Sequence, residues 1–322
     1  MNDGQQEDIQ ALTRGRPVAI VGAGLVGAGW AVVYARAGLQ VQVFDANPEI
    51  TARVLPLIQG QLEGLQRHGL LREAPADVLA RIRTVGTLAE AVQGVAYVQE
   101  SVLERIDVKR PLMLELDALL GPDVVVGSST SGIPGSAFAL GLSISPRVLI
   151  VHPVNPPYLV PVVELVPSPE TAPATVAFAD ALMQAVGQTV VHVKKEVEGF
   201  VLNRLQAVLL REAWALVQEG VASCEDIDKT VRDGLGWRWS FMGPFETIDL
   251  NAPGGVADYA VRLGPLYQRV AASREHEAPW DAALIGEVES QRRLLLSEAE
   301  LEARRAWRDE RLMALAAARH GG

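Results

Sequence analysis

The run Pro17-Val18-Ala19-Ile20-Val21 passes directly into Gly22-Ala23-Gly24-Leu25-Val26-Gly27 and then into the apolar stretch Ala28 to Ala37. A short β-rich run, a G-x-G-x-x-G loop and a helix, in that order, leave few folds open. Gly22 permits a tight turn, Gly24 lets backbone approach a pyrophosphate with no Cβ in the way, and Gly27 lets the helix lie close on its strand. The anion then sits at a helix N-terminus, among unpaired N–H groups and the positive end of the dipole. Leu25 and Val26 complete the loop. A carboxylate is expected a short way downstream, at the end of the next strand, and Asp45 is there, 23 residues after Gly22. Such a group accepts hydrogen bonds from ribose hydroxyls and repels a 2′-phosphate, so the pattern favours NAD over NADP.

From Arg16 to about Glu196 the chain alternates short strands with helices. The strand candidates are Pro17 to Val21, Val41 to Phe44, Val95 to Gln99, Val124 to Gly127, Val148 to Val151 and Thr189 to Val193. Between them, Ala28 to Ala37, Pro48 to Gln66 and Val108 to Leu120 repeat apolar residues at three and four. This reads as an α/β fold with a doubly wound, mainly parallel sheet of the Rossmann type over residues 16–197. After Glu198-Gly199 the texture changes to helix alone, starting with Phe200 to Glu219, so residues 198–322 are expected to form an all-helical domain for substrate and dimerisation. Residues 1–15 are expected to be a frayed tail. Ser297 to Arg319 reads either as a solvated terminal helix or as one packed on a partner subunit.

The formal net charge of −10, with no long Lys/Arg block, argues against nucleic acid. Every apolar stretch is interrupted by charge or proline before the ~18 residues needed for a bilayer, and the polar start lacks a secretion signal. A lone cysteine, Cys224, without a metal-type Cys/His cluster suits a reducing cytoplasm, and no metal site is expected.

Two further segments carry chemistry. Ser128-Ser129-Thr130-Ser131-Gly132 follows an apolar strand where doubly wound sheets place ligand loops, and it also reads as a solvated turn. His152-Pro153-Val154-Asn155-Pro156 follows the next strand, and Glu164 lies in Val162-Val163-Glu164-Leu165-Val166. A carboxylate in so apolar a stretch needs a partner, and histidine is the obvious one. Paired with one imidazole nitrogen, it would fix the tautomer, leave the other nitrogen as a base, and stabilise the imidazolium. A histidine without that acid would be a structural residue.

Together, Gly22-x-Gly24-x-x-Gly27, the loop ending at Ser131, His152-Pro153-x-Asn155-Pro156, Glu164 and Gly199-Phe200-Val201-Leu202-Asn203-Arg204 resemble the 3-hydroxyacyl-CoA dehydrogenase superfamily over about residues 16 to 260. His152 to Tyr158, Val163 to Pro167, Pro169-Glu170-Thr171, Gly234-Leu235-Gly236 and Leu250-Asn251-Ala252 look most like its lambda-crystallin/L-gulonate 3-dehydrogenase branch. The resemblance implies that His152 is the base, Glu164 its orienting acid, and Ser131 and Asn203 partners of the reacting oxygen. It implies nicotinamide-side contacts from Glu104, Lys109 and Asn155, although Glu104 and Lys109 also read as a solvated helix face. It further implies a homodimer. A crystallin-type structural protein without activity would be expected to have lost part of the catalytic set, and Ser131, His152, Glu164 and Asn203 are all present.

For the substrate, Gly236-Trp237-Arg238-Trp239-Ser240-Phe241-Met242-Gly243-Pro244 stands out. Arg238 reads as a bidentate clamp for a substrate carboxylate, or as an arginine stacked on an aromatic face. A free carboxylate suits a small 3-hydroxy acid, L-gulonate by the branch resemblance, better than a CoA thioester. The segment Arg238 to Gly243 also resembles the L-carnitine dehydrogenases of the same superfamily, which implies L-carnitine as an alternative, with Trp237 or Trp239 as a cage for trimethylammonium. The 3-hydroxyacyl-CoA alternative stays open.

Overall fold

A computed structural model describes residues 3–274 and 280–320 of the chain. It divides into two compact units, Met1–Arg204 with Ala306–Gly322, and Leu205–Arg305.

The first unit is built on an eight-stranded sheet: β1 (Val18–Val21), β2 (Val41–Phe44), β3 (Ile82–Thr84), β4 (Tyr97–Glu100), β5 (Val125–Ser128), β6 (Val148–Pro153), β7 (Val162–Pro167) and β8 (Thr189–His192). Their order is β3-β2-β1-β4-β5-β6-β7-β8, parallel at every junction but the antiparallel β6–β7. Because strand side chains alternate between faces, β1 sends Val18 and Ile20 into one core cluster and Ala19 and Val21 into the other. Val151 and Ile150 of β6 divide likewise. Helices therefore cover both faces, which explains why these strands read as nearly continuous apolar runs. The sheet changes direction of growth between β1 and β4, and at such a switch point the carboxyl ends of the strands leave a crevice.

Two of the strands, β3 and β7, lie outside the six that the sequence suggests. The edge strand β3 is only Ile82-Arg83-Thr84, too short and polar to announce itself, and β7 was visible only as the buried stretch around Glu164.

The N-terminal segment differs from expectation. Instead of a frayed tail, Asp3–Thr13 is a helix, with Ile9 fully buried in the core and Thr13 Oγ donating to the Ile9 carbonyl at 2.9 Å. That helix packs on Pro173–Ala185, a contact too distant in sequence to read from composition.

The end of the chain differs too. The helix Leu301–His320 is partly exposed, yet Met313 joins the first unit's core against Gly64, and Arg67 pairs with Glu310 at 2.7 Å. The first unit therefore extends to Arg204 and reclaims the last stretch, where the sequence suggests a single break at 197/198.

The second unit, among its described residues, is helical throughout. Its core cluster comprises Val217, Cys224 and Leu284, with Trp214, Ile227 and Val288 packed on it. Among the described residues no helix is long and apolar enough to cross a membrane.

Candidate active site

The glycine loop closes the carboxyl end of β1. Gly22 has φ +98°, and a Cβ there would lie 2.5 Å from the Ser101 carbonyl group, so only glycine fits. A Cβ on Gly27 would meet the Gly22 oxygen at 1.9 Å, which is the close helix–strand approach expected of the third glycine. Gly24, by contrast, faces open space and caps the helix Leu25–Arg36 without a side chain, so its first-turn N–H groups are presented outward. Leu25 is exposed and Val26 half-buried beside that opening. At the end of β2, Asp45 accepts the Ala23 N–H at 2.7 Å and the Asn47 N–H at 2.8 Å, which ties its carboxylate to the loop. An open glycine, free helix N–H groups and an adjacent fixed carboxylate together form a cradle that fits a dinucleotide with an unphosphorylated ribose.

At the far side of the same edge, β6 and β7 run antiparallel with His152 directly opposite Glu164. Cross-strand neighbours share a face, so the spacing of twelve residues that looked arbitrary in the sequence is a register. His152 Nδ1 lies 2.7 Å from Glu164 Oε2, with both side chains buried. A carboxylate only accepts, so Nδ1 carries the proton and Nε2 keeps a lone pair. No protein group among the described residues is recorded on Nε2.

The other oxygen of Glu164 accepts the N–H groups of Val201 and Leu202 at 2.9 and 3.0 Å. Gly199 at φ +74° and Phe200 at φ +49° make the left-handed turn that brings those two groups in, just before the helix Leu202–Gln218. This is why the helix begins two residues later than the apolar periodicity suggests. Burial pushes the Glu164 carboxyl upward, but hydrogen bonds from His152, Leu202 and Val201 outweigh it and hold the group below the usual glutamate range. The buried Phe200 ring packs on the imidazole at 5.6 Å between centroids.

The loop after β5 is no solvated turn. Ser128 Oγ donates to Glu100, while Thr130 Oγ and the N–H groups of Ser131 and Gly132 converge on one oxygen of Glu104 at 2.8–2.9 Å. Ser131 Oγ donates to the other Glu104 oxygen, and Asn203 Nδ2 donates to the Ser131 carbonyl at 2.5 Å. Burial raises the Glu104 carboxyl and is again outweighed, here by the Ser131, Thr130 and Gly132 donors, leaving it below its ordinary value. Ser131, Asn203 and Glu104 are thus brought together, with Glu104 as the hub of the loop.

Lys109 is placed differently from both of its readings. It is 1% exposed, neither a solvated helix residue nor a free cation facing a nucleotide, and its ammonium donates to both oxygens of the fully buried Glu100 at 2.7 and 2.8 Å. Glu100 closes β4 and also accepts the Val102 N–H, so this ion pair anchors the segment that carries Glu104. Glu100 went unnoticed in the sequence, although a carboxylate ending an apolar strand is the same signal that singled out Glu164. Asn155 is exposed.

In the second unit, Arg238 lies on the short helix Gly236–Trp239, which follows a π-helical turn over Thr230–Leu235. A Cβ on Gly236 would meet the Val231 carbonyl at 2.8 Å, so the wide turn requires glycine there. Arg238 is exposed and flanked by exposed Trp237 and Trp239. No stacked ring is recorded for its guanidinium among the described residues, which does not favour the structural aromatic-packing reading.

Residues 17–197 match the family model for the 3-hydroxyacyl-CoA dehydrogenase NAD binding domain, and residues 199–291 match that for the 3-hydroxyacyl-CoA dehydrogenase C-terminal domain. The chain is 42% identical over 303 residues to lambda-crystallin of Oryctolagus cuniculus, covering 93% of this chain and 95% of that one. It is 38% identical over 276 residues to an L-carnitine dehydrogenase of Streptomyces coelicolor, covering 84% and 86%. Among solved structures, a 5-formyl-3-hydroxy-2-methylpyridine 4-carboxylic acid 5-dehydrogenase, described as an NAD+ dependent dismutase, is similar with a TM-score of 0.78 and 31% identity, covering 94% of this chain and 97% of that one. The glycine cradle, the histidine–glutamate pair and these matches over both parts of the chain have one explanation: it belongs to the 3-hydroxyacyl-CoA dehydrogenase family and is an NAD-dependent oxidoreductase.

Proposed function

We propose that the chain oxidises the 3-hydroxyl of a small free hydroxy acid, L-gulonate to 3-dehydro-L-gulonate, with His152 as general base. The observation that carries this reading is the 2.7 Å bond from His152 to a buried Glu164 at the strand edge that also holds the glycine cradle. Bound NAD supplies the hydride acceptor. His152 Nε2 takes the hydroxyl proton, and the carboxylate behind Nδ1 holds the ring in place and stabilises the imidazolium that results. Asn203 keeps a second amide hydrogen for the reacting oxygen. Ser131, whose proton is directed to Glu104 in the free protein, would serve the reacting oxygen by turning that same proton toward it.

The choice of a free acid rests on Arg238, an exposed guanidinium suited to a carboxylate, and on relatives named for L-carnitine and for a pyridine carboxylic acid. The choice of L-gulonate rests on the likeness to the lambda-crystallin branch after His152 and around Asn251. L-Carnitine is the second reading, favoured by the exposed tryptophans on either side of Arg238. Turnover with NAD on L-gulonate, L-carnitine and 3-hydroxybutyryl-CoA separates them: the proposal expects L-gulonate to give the highest kcat/KM. Preference for the thioester would remove the reason for assigning Arg238 to a carboxylate. The same reading includes a cytoplasmic homodimer formed through residues 198–322.

A further inference from the structure

Behind the serine loop lies a buried polar network that the chemistry above does not use. Ser129 Oγ has three partners: Trp30 Nε1 at 3.1 Å, Gln99 Nε2 at 2.8 Å and Ser101 Oγ at 2.8 Å. Gln99 Oε1 meets the hydroxyls of Tyr34 at 3.0 Å and Tyr97 at 2.7 Å, both fully buried. The direction of every proton in this network follows from donor capacity. An indole nitrogen only donates. The Gln99 amide presents its oxygen to the two tyrosines, since with the amide flipped the neighbouring Tyr34 and Tyr97 hydroxyls could satisfy only one phenol proton between them and would leave the other without an acceptor in the core. Ser129 therefore accepts twice, and its single proton goes to Ser101.

Ser101 Oγ is then an acceptor toward Ser129, with its own proton still to place. It is half-buried, and no further partner for its side chain is recorded among the described residues. Its position is telling. It follows β4 directly, its backbone is the group that a Cβ on Gly22 would strike, and β1 and β4 flank the switch point of the sheet. A dinucleotide held at Asp45 beyond β2 and reacting near His152 at the end of β6 must cross from the β2 side of β1 to the β4 side. Ser101 stands on the nicotinamide side of that crossing.

We infer that Ser101 is a cofactor-binding residue whose hydroxyl, oriented by the Trp30–Gln99–Ser129 network, donates to an acceptor oxygen in the nicotinamide half of NAD. The network keeps the proton facing the crevice before any ligand arrives, so little orientational freedom is lost on binding.

The test is Ser101→Ala, with NAD and AMP binding to the full chain measured by titration calorimetry in the absence of substrate. Loss of one neutral hydrogen bond should weaken NAD roughly 3- to 10-fold. AMP, which lacks the nicotinamide half, should bind as before, while the melting temperature should fall by only a few degrees, because Ser129 loses the acceptor for its proton. Unchanged NAD affinity would overturn the assignment. Equal weakening of NAD and AMP would overturn it as well, because that pattern belongs to a distorted glycine loop rather than a lost donor.

Discussion

The two units are built on opposite terms. In the first, helices bury both faces of the sheet, and the helix Leu25–Arg36 is buried from Gly27 to Ala35. In the second, the helix Gly255–Ala272 has no buried residue, and Phe245, Val261 and Leu294 are 79%, 78% and 85% exposed. A helix gains most of its stability from packing an apolar face, so a unit with so small a core calls for cover from another surface. The lesson is a division of labour. The first unit carries the buried His152–Glu164 pair on its own sheet, whereas substrate recognition through Arg238 and the contact with a second copy are what we propose for the other.

The largest effect should come from the rigid unit. His152→Ala is expected to lower kcat by about 10² to 10⁴-fold with NAD affinity nearly unchanged, since only proton transfer is removed. Stopped-flow turnover beside calorimetric NAD binding measures both, and near-normal turnover would move the base elsewhere. Glu164→Gln should cost less, about 10- to 100-fold in kcat, because the ring keeps a hydrogen-bond acceptor but loses the charge behind it. It also has a pH signature. The folded Glu164 carboxyl titrates below its ordinary value of 4.5, so its stabilising contribution is complete above about that pH and is lost as pH falls through the lowered folded value. The difference in melting temperature between the native protein and Glu164→Gln should accordingly shrink on acidification below pH 4.5. A difference that is constant with pH would mean that the carboxylate charge contributes nothing there.

The same contrast explains what could be read from the sequence. The glycine loop, Asp45 and the strands of the sheet other than β3 and β7 were legible because their constraints are local: a turn, a close approach, an apolar run. His152 and Glu164 were legible because a buried carboxylate demands a partner, and the β6–β7 register supplies it. Lys109 was not legible because its partner, Glu100, ends a separate strand, and nothing local marks that part of the helix as buried. The helix Asp3–Thr13 and the return of Met313 to the first unit's core were beyond reach. Each is fixed by one or two apolar side chains in a polar, helix-prone segment, and nothing local says what they will touch. For the second unit the sequence declared helices but not which faces are covered.

Recognition should be weaker per residue than chemistry. Arg238→Ala is expected to raise the apparent KM for an acid substrate about 10-fold, the worth of a charge-assisted hydrogen bond, while kcat changes little. An unchanged KM would place the carboxylate anchor outside the second unit and blur the division drawn above. Arg238→Lys sharpens it: the charge stays but the planar fork is lost, so only part of the affinity should return.

The smallest effect on chemistry, and the most direct probe of the second unit, is expected from Val261→Glu on the uncovered helix Gly255–Ala272. A charge at that position costs nothing in a monomer, where the residue faces water, but must be desolvated if a second copy lies on it. The native protein should sediment as a dimer and the variant should shift toward monomer, with NAD binding intact because the glycine cradle belongs wholly to the first unit. A native protein that sediments as a monomer at every concentration would leave the apolar face of the second unit to some other cover. In that case the helices around Arg238 would have to be held by something other than their own kind.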